Sequence, residues 1–180
     1  MKKVLLILLF FPLVESPAHA LFEGDSAKRA AIGGPDYPYP EISGVQVQNN
    51  TDYDIEELVA WFCNRIGLRD VFIRVSYLRE VPGYDGMVVM HHPKIYFIRI
   101  RKDINNYRWV CLHELIHVKQ YVSGDLSVLG RSVVSYKGKR INLDEVDYKH
   151  RHYEHEAQWE TVAFWKKFMR YKRDNGDVEG

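Results

Sequence analysis

Hydrophobic and polar positions change their period several times along the chain, and each change marks a predicted element. Apolar side chains at helical spacing predict a helix from about Asp54 to Ile66, with Thr51 or Asp52 as its cap and Gly67 as its stop. Three runs rich in β-branched and aromatic residues follow, and they predict strands over Val71–Tyr77, Met87–His91 and Ile95–Ile100. His92-Pro93 separates the last two strands, which we expect to form a hairpin.

The second half of the chain is dominated by two predicted helices. From about Asn105 to Val122 the residues are apolar on most helical faces, which indicates a buried central helix closed by Gly124. A hairpin is predicted from Ser132–Tyr136 and Arg140–Leu143 around the turn Lys137-Gly138-Lys139, and a final helix from about His152 to Tyr171. Together these elements predict an α+β domain over residues 51–174, with a small, mostly antiparallel sheet packed on the central and C-terminal helices. Residues 175–180 are expected to fray.

The first twenty residues have the pattern of a signal peptide. Lys2 and Lys3 precede an apolar run of 11 residues, and Ala18-His19-Ala20 is typical of a cleavage site. The run is shorter than the roughly 20 residues that a membrane span needs, so no stable span is expected after cleavage. Residues 21–50 are rich in glycine and proline without a sustained period and predict an extended N-terminal arm. The protein is therefore expected to be exported, to the periplasm or outside the cell.

Composition narrows the class of protein and of partner. The 180 residues are 46% hydrophobic and 27% charged, which is typical of a globular protein. With 25 basic and 24 acidic side chains and no basic cluster, the chain lacks the positive surface that a nucleic-acid binder needs. Its two cysteines, Cys63 and Cys111, exclude a disulfide scaffold. An exported chain permits one disulfide between them, and two buried free thiols are the alternative.

The motif His113-Glu114-Leu115-Ile116-His117 lies in the middle of the predicted central helix. At positions i and i+4 the two imidazoles share one helix face, so both can reach one metal ion. Glu114 is offset by about 100° and can contact a water on that ion. Zinc prefers imidazole and carboxylate ligands, with one position kept for water in catalytic sites. Two histidines and a glutamate without partners would also be costly inside an apolar helix, which favours a metal site.

A third ligand is expected downstream, because catalytic zinc usually takes three protein ligands. In the C-terminal helix, Glu154 shares a stripe with Ala157, Thr161 and Phe168 that should face the core, whereas Glu156 lies on the opposite, solvated face. Glu154 is therefore the preferred ligand and Glu156 a surface acid. Three further histidines at the start of this helix stay open as ligands, and they are His150, His152 and His155.

These residues resemble the gluzincin type of zinc metallopeptidase. The resemblance covers about residues 107–165 and rests on the H-E-x-x-H motif and on Glu154, which follows His117 by 37 residues in a Glu-x-x-Ala-Gln context. The segment is also similar to small predicted peptidases of bacteria and their phages. In the family, the position four residues after the glutamate is often an aspartate that holds a zinc-ligand histidine, and here it is Gln158.

The resemblance implies a minimal zincin-like fold and one Zn²⁺ held by His113, His117 and Glu154. It further implies that Glu114 is the general base in the hydrolysis of a peptide or protein substrate. The oxyanion donor is left open among four residues, Tyr148, His150, His152 and Tyr153. In zincins the substrate adds to a sheet edge, for which Met87–His91 is the expected strand. Two alternatives remain, an inactive zincin-like binding or structural protein and a hydrolase of cell-wall peptides.

Overall fold

A computed structural model describes residues 42–78 and 84–176 of the chain. These residues form a mixed α+β structure with two small sheets and three α-helices. In chain order the elements are β1 (Val45–Asn49), α1 (Glu56–Ile66), β2 (Val71–Leu78), β3 (Gly86–His92), β4 (Ile95–Arg101), α2 (Tyr107–Val122), β5 (Leu126–Gly130), β6 (Val133–Tyr136), β7 (Lys139–Asn142), a 3-10 helix (Tyr148–His150) and α3 (His152–Asp174). The α+β class is confirmed, and the described part of the chain contains no helix long and apolar enough to cross a membrane.

The larger sheet has four strands in the order β1-β2-β4-β3. The pairs β1–β2 and β2–β4 are parallel, and only the β3–β4 hairpin is antiparallel. The expectation of a mostly antiparallel sheet is therefore wrong for the sheet that carries the central helix. The reason lies in the connections. Helix α1 returns the chain, so that β2 can run parallel to β1, and β3 runs back in the opposite direction, so that β4 can run parallel to β2. The predicted β3–β4 hairpin is confirmed.

Strand β1 lies within the segment predicted as an extended arm. Val45–Asn49 pairs with β2 in a register that joins Val45 to Val71. Only two apolar residues, Val45 and Val47, alternate with polar ones here, and both are half-buried. So short a pattern gives little signal, and the pairing with β2 decides the conformation. The rest of the arm up to residue 41, the predicted signal peptide and residues 177–180 lie outside the described residues.

Helix α1 begins later than its predicted cap. Buried Ile55 is the N-cap residue, and it gives the helix no side-chain hydrogen bond. The hydroxyl of Thr51 instead donates to Asn49 Oδ1 at 2.7 Å, within the turn that leads to the helix. The predicted stop is confirmed, since Gly67 has the left-handed φ of 69° that favours glycine at this position.

Helix α2 is the centre of the molecule. It contacts β3 and β4 of the larger sheet, β5 of the smaller one and both other helices. Eleven of its sixteen residues are buried, as predicted for a helix that is apolar on most sides. Cys111 on α2 and Cys63 on α1 are both buried free thiols, which is the second of the two alternatives left by the sequence.

The smaller sheet has the order β5-β6-β7 and contacts the start of α3. Its β6–β7 hairpin matches the predicted one and turns through Lys137 and Gly138, both with positive φ. At that turn Tyr136 and Lys137 donate hydrogen bonds to the carboxylate of Glu156 on α3. Glu156 is therefore half-buried in an ion pair, and not the fully solvated acid that the helix pattern predicted.

Candidate metal centre

His113 and His117 lie one turn apart on α2, and both rings are buried. Their exposed fractions are 2% and 0%. Because α2 is central, the rings do not point to solvent but towards the first turn of α3. The two Nε2 atoms face each other at 3.2 Å. The helical spacing of the motif thus brings two imidazole nitrogens to one point inside the protein.

Glu154, in the first turn of α3, places its carboxylate beside these two nitrogens. Its Oε2 atom lies 3.3 Å from His113 Nε2 and 3.3 Å from His117 Nε2, and its side chain is 3% exposed. The other carboxylate oxygen, Oε1, is buried and has no hydrogen-bond partner within the described residues. The structure thus brings together the three side chains chosen from the sequence, whereas Glu156, also on α3, accepts hydrogen bonds from Tyr136 and Lys137 at the β6–β7 turn.

The geometry of this group fits a metal ion. The three donor atoms form a nearly equilateral triangle with sides of 3.2, 3.3 and 3.3 Å. In a tetrahedral zinc site with bonds of about 2.0–2.1 Å, neighbouring ligand atoms lie about 3.3–3.5 Å apart. Without a cation, three electron-rich atoms at these distances would repel one another unless protons lay between them. The group of His113, His117 and Glu154 can therefore hold a metal ion with little rearrangement.

Gln120 fixes the orientation of His117. Its amide nitrogen donates to the carbonyl of Tyr153 at 3.1 Å, which leaves its Oε1 to accept from His117 Nδ1 at 2.8 Å. With the proton on Nδ1, the lone pair of Nε2 is directed at the metal position. Sequence reasoning missed Gln120, although its position three residues after His117 on the same helix could have indicated it.

Thr161 plays the corresponding part beside His113. Its hydroxyl donates to the carbonyl of Ala157 at 2.7 Å, and its oxygen lies 3.5 Å from His113 Nδ1. The hydroxyl oxygen is therefore the acceptor for a proton on that nitrogen. The resemblance assigned such a role to Gln158, and in the structure Thr161, one turn further along α3, is the residue beside the histidine.

Opposite charges are coupled within the buried group. Burial raises the pKa of Glu154, but the adjacent His117 and the hydrogen bonds from both histidines outweigh it and lower this pKa to about 2. Burial lowers the pKa of His117, and here the charge of Glu154 dominates and raises it to about 9. For His113 burial prevails, and its pKa is lowered. The metal-free group therefore holds one carboxylate and one imidazolium at neutral pH.

Glu114 lies on a different face of α2 from the two histidines. It is 0% exposed, and neither carboxyl oxygen has a hydrogen-bond partner among the described residues. Burial raises its pKa well above the usual range, and the negative charge of Glu154 adds to the effect while His117 opposes it. A buried carboxyl group without partners is costly, so its presence beside the triangle calls for a functional explanation.

Tyr148, in the 3-10 helix, contacts the triangle through its phenol. Its hydroxyl donates to Glu154 Oε2 at 2.8 Å, and its side chain is half-buried. Tyr153 is buried, with its carbonyl bound to Gln120. The three histidines left open by the sequence are exposed and lie outside the group, and they are His150, His152 and His155.

Comparisons of the chain with models of protein families, with curated proteins and with solved structures found no match.

Proposed function

We propose that this protein is an exported zinc metallopeptidase that hydrolyses peptide bonds with Glu114 as general base. The proposal is carried by one observation, the buried triangle of His113, His117 and Glu154 with a second, unpartnered carboxyl group beside it. Two imidazoles and one carboxylate are a ligand set found in catalytic zinc sites of peptidases. Export rests on the signal-peptide pattern of residues 1–20.

Each residue of the site has a separate role in this mechanism. Zinc, when bound by the three ligands, supplies a Lewis acid that polarises a peptide carbonyl and makes water more acidic. Glu114 accepts a proton from the attacking water and passes it to the leaving amine. Burial raises the pKa of Glu114, which makes its carboxylate a stronger base for the proton of water. The histidines keep their Nε2 lone pairs available because Gln120 and Thr161 hold their Nδ1 atoms.

Tyr148 is the candidate that the geometry favours as hydrogen-bond donor to the developing oxyanion. Its hydroxyl already lies within hydrogen-bond distance of Glu154 Oε2, one of the three atoms of the triangle. A phenol at this place can donate to an oxygen held near the same point. The exposed histidines at the start of α3 have no comparable contact with the triangle.

Strand β3 is the proposed docking edge for the peptide. Among the described strands it stands at the end of the larger sheet, with β4 on its other side. An extended peptide could add to it by backbone hydrogen bonds, which would make recognition depend weakly on sequence. Helix α2 contacts β3, so a peptide on this edge would run beside the helix that carries the motif.

The proposal is tested with Glu114→Gln, which keeps the shape of the side chain and removes its basicity. The variant is expected to bind as much zinc as the wild type and to hydrolyse a fluorogenic peptide library at least about 100-fold more slowly. Glu160→Gln makes the same change at a carboxylate that pairs with Lys119 and serves as control. Wild-type rates in Glu114→Gln would contradict the proposal.

The same assay separates the alternatives that the sequence left open. A wild-type protein that binds zinc and cleaves none of the peptides would be a zincin-like binding or structural protein. Cleavage of cell-wall peptides without cleavage of linear protein-derived peptides would instead identify a cell-wall peptide hydrolase.

A further inference from the structure

Gly86, the first residue of β3, lies against the face of α2 that carries Glu114. A Cβ atom added at Gly86 would lie 2.9 Å from Glu114 Oε1 and 3.4 Å from its Cδ. It would lie 2.5 Å from Cγ1 of Val110, a distance that real Cβ atoms essentially never show. The φ of Gly86 is not in the left-handed region, so the need for glycine comes from space and not from backbone conformation.

Neither side of this contact can easily move away. Gly86 pairs with Ile100 of the buried strand β4, and the amide of Arg101 donates to the carbonyl of Asp85 at 2.8 Å. On the other side, Val110 and Glu114 are four residues apart on α2, so they present one face to Gly86. Helix α2 is itself enclosed by sheet and helices. The freest group at the contact is the end of the Glu114 side chain.

We propose that the bare Cα of Gly86 sets the position of the Glu114 carboxyl group, and that Gly86 is thereby a positioning residue for peptide hydrolysis. The catalytic part rests on the proposed function. A methyl group at this place would push the carboxyl group from its site. His113 and His117 point to α3, away from Gly86, so the metal ligands keep their arrangement.

Gly86→Ala is therefore expected to lower kcat at least about tenfold while KM and zinc affinity stay near the wild-type values. The control is Gly130→Ala on β5, where an added Cβ meets nothing within 4 Å and φ is not left-handed. It should leave all three quantities unchanged. Equal kcat in Gly86→Ala and the wild type, or a parallel loss of zinc, would overturn the proposal.

A double variant separates the effect on Glu114 from a general loss of stability. Gly86→Ala/Val110→Ala removes the shorter of the two contacts and should recover most of the lost thermal stability. Because the contact with Glu114 remains, kcat should stay low. Recovery of kcat together with stability would show that the loss came from packing against Val110 and would overturn the proposal.

A stability cycle tests the contact without any activity assay. The shift in denaturation midpoint caused by Gly86→Ala is measured in the wild type and in Glu114→Ala, both without metal. A smaller shift in the Glu114→Ala background is expected, because the displaced carboxyl group is gone. Equal shifts would refute the contact. A wild type without peptidase activity would refute the proposed function alone, since the cycle still decides whether Gly86 positions Glu114.

Discussion

Replacing Gln120 with leucine tests whether the metal position depends on a residue that does not itself bind the metal. Gln120 is 1% exposed and joins His117 Nδ1, at 2.8 Å, to the carbonyl of Tyr153, at 3.1 Å. Gln120→Leu keeps most of the volume and removes both hydrogen bonds. The buried Nδ1–H of His117 is then left unpaired, at a cost of about 1–3 kcal/mol in the free energy of unfolding, whereas the carbonyl of Tyr153 still lies within the backbone ladder of α3.

The effect on zinc affinity should not exceed this cost. In the metal-free protein His117 also donates from Nδ1, so Gln120 stabilises both states and only the difference appears in binding. We therefore expect a loss of about 10–100-fold, which corresponds to about 1.4–2.7 kcal/mol. The tautomer with its proton on Nε2, which the glutamine excludes, accounts for this loss because it cannot bind the ion.

Competition with a chromophoric chelator at neutral pH measures this affinity directly. Gln158→Leu is the matched control, because the same change at a half-buried glutamine of α3 should alter affinity by no more than about twofold. Unchanged affinity in Gln120→Leu would refute the reasoning. A loss confined to Gln158→Leu would instead restore the role that the family resemblance gave to that position.

Two further predictions concern the ligands themselves. Glu154→Ala should lose most bound zinc on dialysis, whereas Glu156→Ala, which breaks only the contact with Tyr136 and Lys137, should retain it. Equal zinc contents in the two variants, measured by atomic absorption, would refute the ligand assignment. Below about pH 9 zinc must displace the proton of His117, so zinc affinity should rise about tenfold per pH unit up to about pH 9 and level off above it. A zinc affinity that stays constant between about pH 6.5 and 9 would contradict this sign.

The buried helix that carries the motif was predictable because its signals are local. Its boundaries follow from a continuous apolar stretch, and the spacing of His113 and His117 fixes their common face. The choice of Glu154 over Glu156 followed from the helical stripe that also contains Thr161. Periodicity placed these side chains on the inner face, and the structure brings Glu154 to the two histidines.

Features that depend on contacts between distant segments were not predictable in the same way. The parallel pairing of β1 with β2 joins a weakly apolar segment to a strand 26 residues later, and nothing in either segment specifies the direction. The role of Thr161 depends on the rotation of α3 against α2, which sets which side chain reaches His113. Gly86 is a similar case, because a glycine at the start of a strand is also compatible with a simple turn.

The contacts between α2 and α3 differ in how strongly they can fix the metal group. Lys119 and Glu160 form an ion pair between the two helices, but both side chains are about one-third exposed or less, so solvent screens a pair that contributes at most about 1 kcal/mol. The bond from Gln120 to Tyr153 is buried, and it joins α2 to the residue directly before Glu154. A shift between the helices would break this bond at a place where water cannot replace it, which makes it the more costly contact to lose. The same glutamine therefore sets the register of Glu154 against the histidines and the orientation of His117, and these two functions explain why a polar side chain is retained at a position 1% exposed.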